Sequence, residues 1–140
     1  MIPLKSEKDL NVLRQSGKIL AGIIQKVAGC VKVGIATAEI DYLAEDLIRQ
    51  AGCKSAFKGY KGYPAAICVS LNEEVVHGIP GPRIITDKDI VSIDIGIEYQ
   101  GYFMDAAVTL ASGRMEPRTK KLLEVTRKAL SEGIKQAVVN

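Results

Sequence analysis

Tryptophan is missing from this sequence, and its aromatic complement stops at five Tyr and two Phe. So thin a supply argues against the row of stacking rings on which single-stranded nucleic acid is bound. Cysteine is sparse as well: Cys30, Cys53 and Cys68 form no CxxC pair, and an odd count without a framework suits a reducing compartment. No apolar run approaches the roughly 18 residues that cross a bilayer. Met1-Ile-Pro-Leu4 gives way at once to Lys5-Ser-Glu-Lys-Asp9, so no signal peptide is expected and the expected location is cytoplasmic. The formal charge is only +3, and its basic residues are scattered apart from Arg118, Lys120 and Lys121. That small group reads as a solvated helix face, so neither a membrane nor a specific nucleic acid is an expected partner.

What remains is ordinary globular material, 47% hydrophobic and 25% charged over 140 residues, sufficient for one domain that buries roughly 68–70% of its unfolded surface. Ser6 with Asp9 predicts a helix start, followed by Leu10, Leu13, Leu20, Ile23, Ile24 and Val27 at helical spacing. After Gly34 a second helix is predicted, with Thr37 as its cap, Ile40, Leu43, Leu47 and Ile48 as its stripe, and Gly52 at its end. Residues 57–64 and 77–82 are loops by their Gly and Pro content. Between them Ile67, Val69 and Leu71 alternate with Cys68 and Ser70 as a half-buried strand. A last helix opens near Pro117, carries Leu122, Leu123, Ala129, Leu130, Ile134 and Val138 on one stripe, and runs to Asn140. The fold class is α+β: two N-terminal helices, antiparallel strands and a C-terminal helix.

The stretch 90–110 says most. Val91, Ile93, Ile95, Ile97 and Tyr99 alternate with small or polar residues, and Tyr102, Met104, Ala106, Val108 and Leu110 repeat the pattern. With Gln100-Gly101 as a two-residue turn, Tyr99 faces Tyr102, Ile97 faces Met104 and Ile93 faces Val108. Asp94 and Asp105 then share the opposite face as diagonal neighbours. A register shifted by two residues would set them directly opposite. Either way two carboxylates repel unless something neutralises them, and a divalent cation with a taste for oxygen (Mn²⁺, Fe²⁺, Co²⁺ or Mg²⁺) does so well. A bland alternative, one aspartate solvated and the other capping a turn, stays open on this pattern alone. His77, the one histidine, lies in a Gly/Pro-restrained loop shortly before the hairpin, where functional side chains concentrate.

Longer strings carry a family resemblance. Ile67-Cys-Val-Ser-Leu-Asn-Glu-Glu-Val-Val-His-Gly-Ile-Pro-Gly81 resembles the histidine-bearing motif of type I methionine aminopeptidases. Asp89-Ile-Val-Ser-Ile-Asp-Ile-Gly96 and Gly101-Tyr-Phe-Met-Asp105 resemble the segments with that family's first two metal ligands. Tyr60-Lys-Gly-Tyr-Pro64 is similar to the loop beside its methionine pocket. The match covers essentially the whole chain in order and spacing. It implies residues 1–140 as the N-terminal half of a pita-bread catalytic domain, in an enzyme that removes the initiator methionine before a small second residue.

Carried over by position, Asp94 would chelate one of two divalent ions (Co, Mn, Fe or Zn) and Asp105 would bridge both. His77 would contact the scissile peptide, and Phe57, Tyr60, Tyr63 and Cys68 would line or flank the methionine pocket. Phe57 stands where many relatives carry a cysteine, and Lys61 where some carry a histidine. Two divalent ions make water a nucleophile at neutral pH and polarise the carbonyl under attack. The family's other ligands, one His and two Glu, have no counterpart here, because Glu116, Glu124 and Glu132 fall outside any ligand motif. The isolated chain is therefore expected to be inactive, with self-association or a C-terminal half as possible partners. A non-catalytic module that binds peptides or proteins is the alternative.

Overall fold

The computed structural model describes residues 4–139. Helix α1 (Glu7–Gly29) begins as its sequence directs: the Asp9 N–H donates to Ser6 Oγ at 3.3 Å, and the Ser6 N–H donates to the Asp9 carboxylate at 2.7 Å. Leu20, Ile23 and Val27 then fall on one buried face. Helix α2 (Thr37–Gln50) buries Ile40, Ala44 and Ile48. Its cap differs from the expectation. Ala36 is the N-cap and Thr37 the first helical residue, with the Ala36 N–H satisfied by the Glu39 carboxylate at 2.9 Å. Thr37 is free for another duty, described below.

One antiparallel sheet packs against these helices. Strand β3 (Ile90–Tyr99) lies at its centre and pairs with β4 (Tyr102–Ala111) along its whole length. Its other edge carries β1 (Lys54–Ser55) and β2 (Cys68–Leu71) end to end. The register of β3 with β4 is the one derived from alternation: Tyr99 meets Tyr102, Ile97 meets Met104 and Ile93 meets Val108. Gln100 (φ 52°) and Gly101 (φ 82°) both take the left-handed conformation that a two-residue hairpin demands. Strand β1 carries no sequence signal, since two residues are too few to show a period.

Val91, Ile93, Ile95 and Ile97 are fully buried beneath the helices and form one cluster with Leu20, Ile23, Val27, Ile40 and Ile48. Each such side chain contributes about 1.5–3 kcal/mol by leaving water. Strand β4 alternates as expected, with Met104, Ala106 and Val108 half-buried and Phe103, Asp105 and Ala107 exposed. The Tyr102 hydroxyl donates to Asp9 and pins the start of β4 to α1; that hydrogen bond holds the Asp9 carboxyl down at about 2. Strand β2, expected to be half-buried, is buried at all four positions. Loops cover its second face, where a strand bordered by solvent would leave Cys68 and Ser70 exposed.

Helix α3 (Pro117–Lys135) exists, but it stops short of the expected end, and Asn140 lies outside the described residues. Its apolar stripe is uncovered: Leu122, Leu130 and Ile134 are each more than half exposed. The outer edge of β4 likewise has no strand partner among the described residues. No helix there is long and apolar enough to cross a membrane.

Candidate metal and peptide site

The pleat of β3 puts Asp94, Gly96 and Glu98 on the face away from the helices, and β4 adds Phe103, Asp105 and Ala107. Asp94 stands opposite Ala107 and Asp105 opposite Gly96, so the two carboxylates are diagonal neighbours on one face. On the other side Asp94 is paired with Cys68 of β2. Burial pushes the Asp94 carboxyl above its ordinary value of 3.8, the charge of Asp105 adds to the rise, and His77 partly offsets it. The Asp94 Oδ1 atom is buried with no hydrogen-bond partner among the described residues. An orphaned carboxylate oxygen beside a second carboxylate is the donor chemistry of a divalent cation. The two aspartates fit one side of such a site. They do not complete it, because no group of three His, Cys, Asp or Glu side chains converges among the described residues.

Beside the carboxylates opens a cleft of about 980 Å³, within the range of small-molecule sites. Phe57, Tyr60, Tyr63, Cys68, His77 and Asp105, which the sequence singled out, all line it. Gly96 forms part of its floor, and sequence reasoning passed over that residue. A Cβ at Gly96 would lie 2.4 Å from Phe57 Cε1, so the ring rests directly on the backbone of β3. Phe57 also meets Tyr63 edge-on, with ring centroids 6.4 Å apart. Ile79, Phe103 and Met104 extend the apolar lining and were likewise missed, since each reads as a generic hydrophobe.

The loop before this cleft is more structured than its composition suggests. Tyr60–Gly62 forms a short 3-10 turn set between left-handed Gly59 (φ 86°) and Gly62 (φ 83°). Lys61 is itself left-handed at φ 48°, and its ammonium lies 5.4 Å from the Tyr60 ring centroid. Ser55 and Asp41 hold the segment from beneath. Ser55 Oγ donates to the Ala66 carbonyl at 2.7 Å, and the Asp41 carboxylate accepts from the Ala66 and Ile67 N–H groups at 2.9 and 3.0 Å. Burial pushes the Asp41 carboxyl up against the pull of those two donors. Cys68 is a protonated thiol at neutral pH: burial raises it further, and Asp94 and Asp105 push the same way. Its sulfur adds a small polarizable surface to the cleft lining.

His77 is exposed and left-handed (φ 59°), in a loop anchored at two points. At Gly81, Thr37 Oγ1 accepts from the N–H at 2.9 Å and donates to the carbonyl at 3.0 Å. At Gly78, Ser70 Oγ accepts the N–H at 3.0 Å, while the Val69 N–H donates to the carbonyl at 3.0 Å. Of the sequence-predicted site residues, six line the cleft; Asp94 does not, but it pairs with Cys68 on β2, and His77 is near enough for its charge to be felt there.

The profile of metallopeptidase family M24 matches residues 11–139. Methionine aminopeptidase 1 of Bacillus subtilis is 44% identical over 137 residues, which make up 98% of this chain and 55% of that protein. The methionine aminopeptidase of Clostridium acetobutylicum is 41% identical over 99% of this chain and 56% of its own length. Among solved structures, methionine aminopeptidase from Thermotoga maritima superposes with a TM-score of 0.92 at 39% identity, covering 97% of this chain and 55% of that one. The prolidase from Pyrococcus horikoshii shares the fold alone, at a TM-score of 0.78 and 20% identity, over 92% of this chain and 36% of its own. The chain spans about half the length of the curated relatives it matches.

Proposed function

We infer that this chain, which belongs to metallopeptidase family M24 and has the fold of one pita-bread half, carries the N-terminal half of a metal-dependent methionine aminopeptidase. The observation that carries the reading is the arrangement of Asp94 and Asp105 on one face of the sheet beside an apolar cleft, with His77 on its wall. Asp94 and Asp105 would together hold divalent metal on this side, the remaining donors coming from outside these 140 residues. When bound, such ions activate water and polarise the scissile carbonyl. The chain's own residues do the rest. Phe57, Tyr63 and Cys68 form a wall of rings and sulfur suited to the thioether of an N-terminal methionine, with Tyr60 at the entrance. His77 donates a hydrogen bond to the peptide oxygen as charge develops on it. Burial of the floor keeps water from competing for the side chain. The substrates are new polypeptides with methionine first and a small residue second, met in the cytoplasm.

The test is release of methionine from a Met-Ala-Ser peptide with Mn²⁺ present. The chain is assayed alone, and after refolding with the C-terminal portion of the Bacillus subtilis relative. Release is expected only from the mixture. EDTA abolishes it, and Asp94→Asn lowers it at least about a hundredfold, more than loss of an outer-sphere contact costs. A mixture that works as well with Asp94→Asn would contradict the assignment.

A further inference from the structure

Gly78 is gripped from three sides. Its N–H is held by Ser70 Oγ at 3.0 Å, and its carbonyl accepts from the Val69 N–H at 3.0 Å and from the Tyr63 hydroxyl at 3.1 Å. The residue sits so close to β2 that a Cβ there would lie 2.4 Å from the Val69 carbonyl oxygen and 2.7 Å from Ser70 Cα. Ser70 is buried, which fixes its hydroxyl under the loop. The phenol of Tyr63 has one proton for two carbonyls, those of Gly78 and Ile67, each 3.1 Å away. Burial pushes that phenol upward, so it keeps the proton with which it donates.

The residue just before this clamp is His77, whose left-handed φ of 59° costs of order 1 kcal/mol or more in a non-glycine residue. Such a conformation persists only where its surroundings enforce it. His77 has no side-chain hydrogen bond among the described residues to enforce it from its own end. The enforcing contacts are those on Gly78. We propose that Ser70, assisted by the Tyr63 hydroxyl, is a positioning residue that sets the backbone of His77 and so aims its imidazole at the Asp94–Asp105 face. Tyr63 then has two jobs: its ring walls the cleft and its hydroxyl tethers the histidine loop. The catalytic consequence rests on the function proposed above; the positioning itself does not.

Because His77 is the one histidine, its imidazole gives a single Cε1–Hε1 cross-peak, and a positive φ gives a strong NOE between its own amide and Hα protons. Both are read on the 140-residue chain without substrate or metal. Ser70→Ala is expected to shift the imidazole cross-peak, weaken the intraresidue NOE and speed exchange of the Gly78 amide roughly tenfold. Ser70→Thr keeps a hydroxyl and is expected to retain the wild-type signals. Ser92→Ala is the structural control. Ser92 pairs with Ser70 across the sheet and exchanges a hydrogen bond with Thr109, so its loss perturbs the same strands without touching Gly78. Its His77 signals are expected to be unchanged. The proposal is overturned if Ser70→Ala leaves the His77 signals as in wild type, or if Ser92→Ala moves them equally. Failure of the peptidase assay alone would leave these spectra, and the positioning role, untouched.

Discussion

In EDTA at neutral pH the Asp94→Asn chain melts about 3–5 °C above wild type, a gain of about 1 kcal/mol for a chain of this size. The direction is opposite to that of most substitutions at a half-buried polar position. Asp94 carries a buried oxygen without a partner and lies diagonally beside the charge of Asp105. Without a cation both features destabilise the fold, by an amount that solvent on the open side of the cleft reduces. Asparagine removes the charge and brings an amide that can donate to Asp105. The pH dependence has a definite sign. The folded-state value of Asp94 is raised above 3.8, so its contribution is favourable below that value, where the group is protonated in both states. The contribution is lost as pH rises through the raised folded value. The advantage of Asp94→Asn is therefore absent in acid and fully present at neutral pH. Thermal melts followed by circular dichroism from acid to neutral pH measure it, and equal midpoints at pH 7 would refute the argument.

Gly96→Ala is expected to destabilise the chain by about 1–3 kcal/mol, although alanine is the better strand residue in general. The new methyl would meet Phe57 at 2.4 Å from Cε1 and 3.0 Å from Cδ1 and Cζ. Backbone cannot yield on the β3 side, because Gly96 lies mid-strand between Asp105 and the Ala56 N–H that its carbonyl accepts at 2.9 Å. The ring has to swing away, which breaks its edge-on contact with Tyr63 and moves it within the cleft. Phe57→Leu in the same background relieves the clash. Urea unfolding of the wild type, both single variants and the double variant should then show coupling of about 1 kcal/mol or more between the two sites. Additive effects would mean that Phe57 does not rest on Gly96.

These two cases mark what the sequence could and could not disclose. The hairpin register followed from the apolar alternation of residues 91–110, because a one-residue slip would have mixed the two faces. Alternation put Asp94 and Asp105 on one face but left a two-residue shift open, and the observed pairing selects the diagonal placement. The Ser6–Asp9 cap was equally local and equally readable. Contacts between distant segments left no such trace. Thr37 looks like a helix cap, and its partner is Gly81, 44 residues away. Gly96 looks like any small residue on a polar face until Phe57 is seen lying over it. Gly78 and Ser70 meet across a loop whose path no periodicity encodes. Strand β2 alternates as though one face were wet, since alternation cannot say that a loop covers the second face. Phe57, Tyr60, Tyr63 and Cys68 were singled out through resemblance to known motifs, and their convergence on one cleft came only with the fold.

The exposed stripe of α3 and the open edge of β4 fit a site that needs donors from elsewhere. The most direct test of the central claim is whether Asp94 and Asp105 together hold a divalent ion. Titration of the chain with Mn²⁺, followed by electron paramagnetic resonance, should reveal weak binding in the roughly 0.1–1 mM range expected of so few oxygen ligands. Asp94→Asn and Asp105→Asn should each abolish binding over that range, and His77→Ala should leave it intact. Mn²⁺ uptake that is unchanged in both aspartate variants would contradict the account.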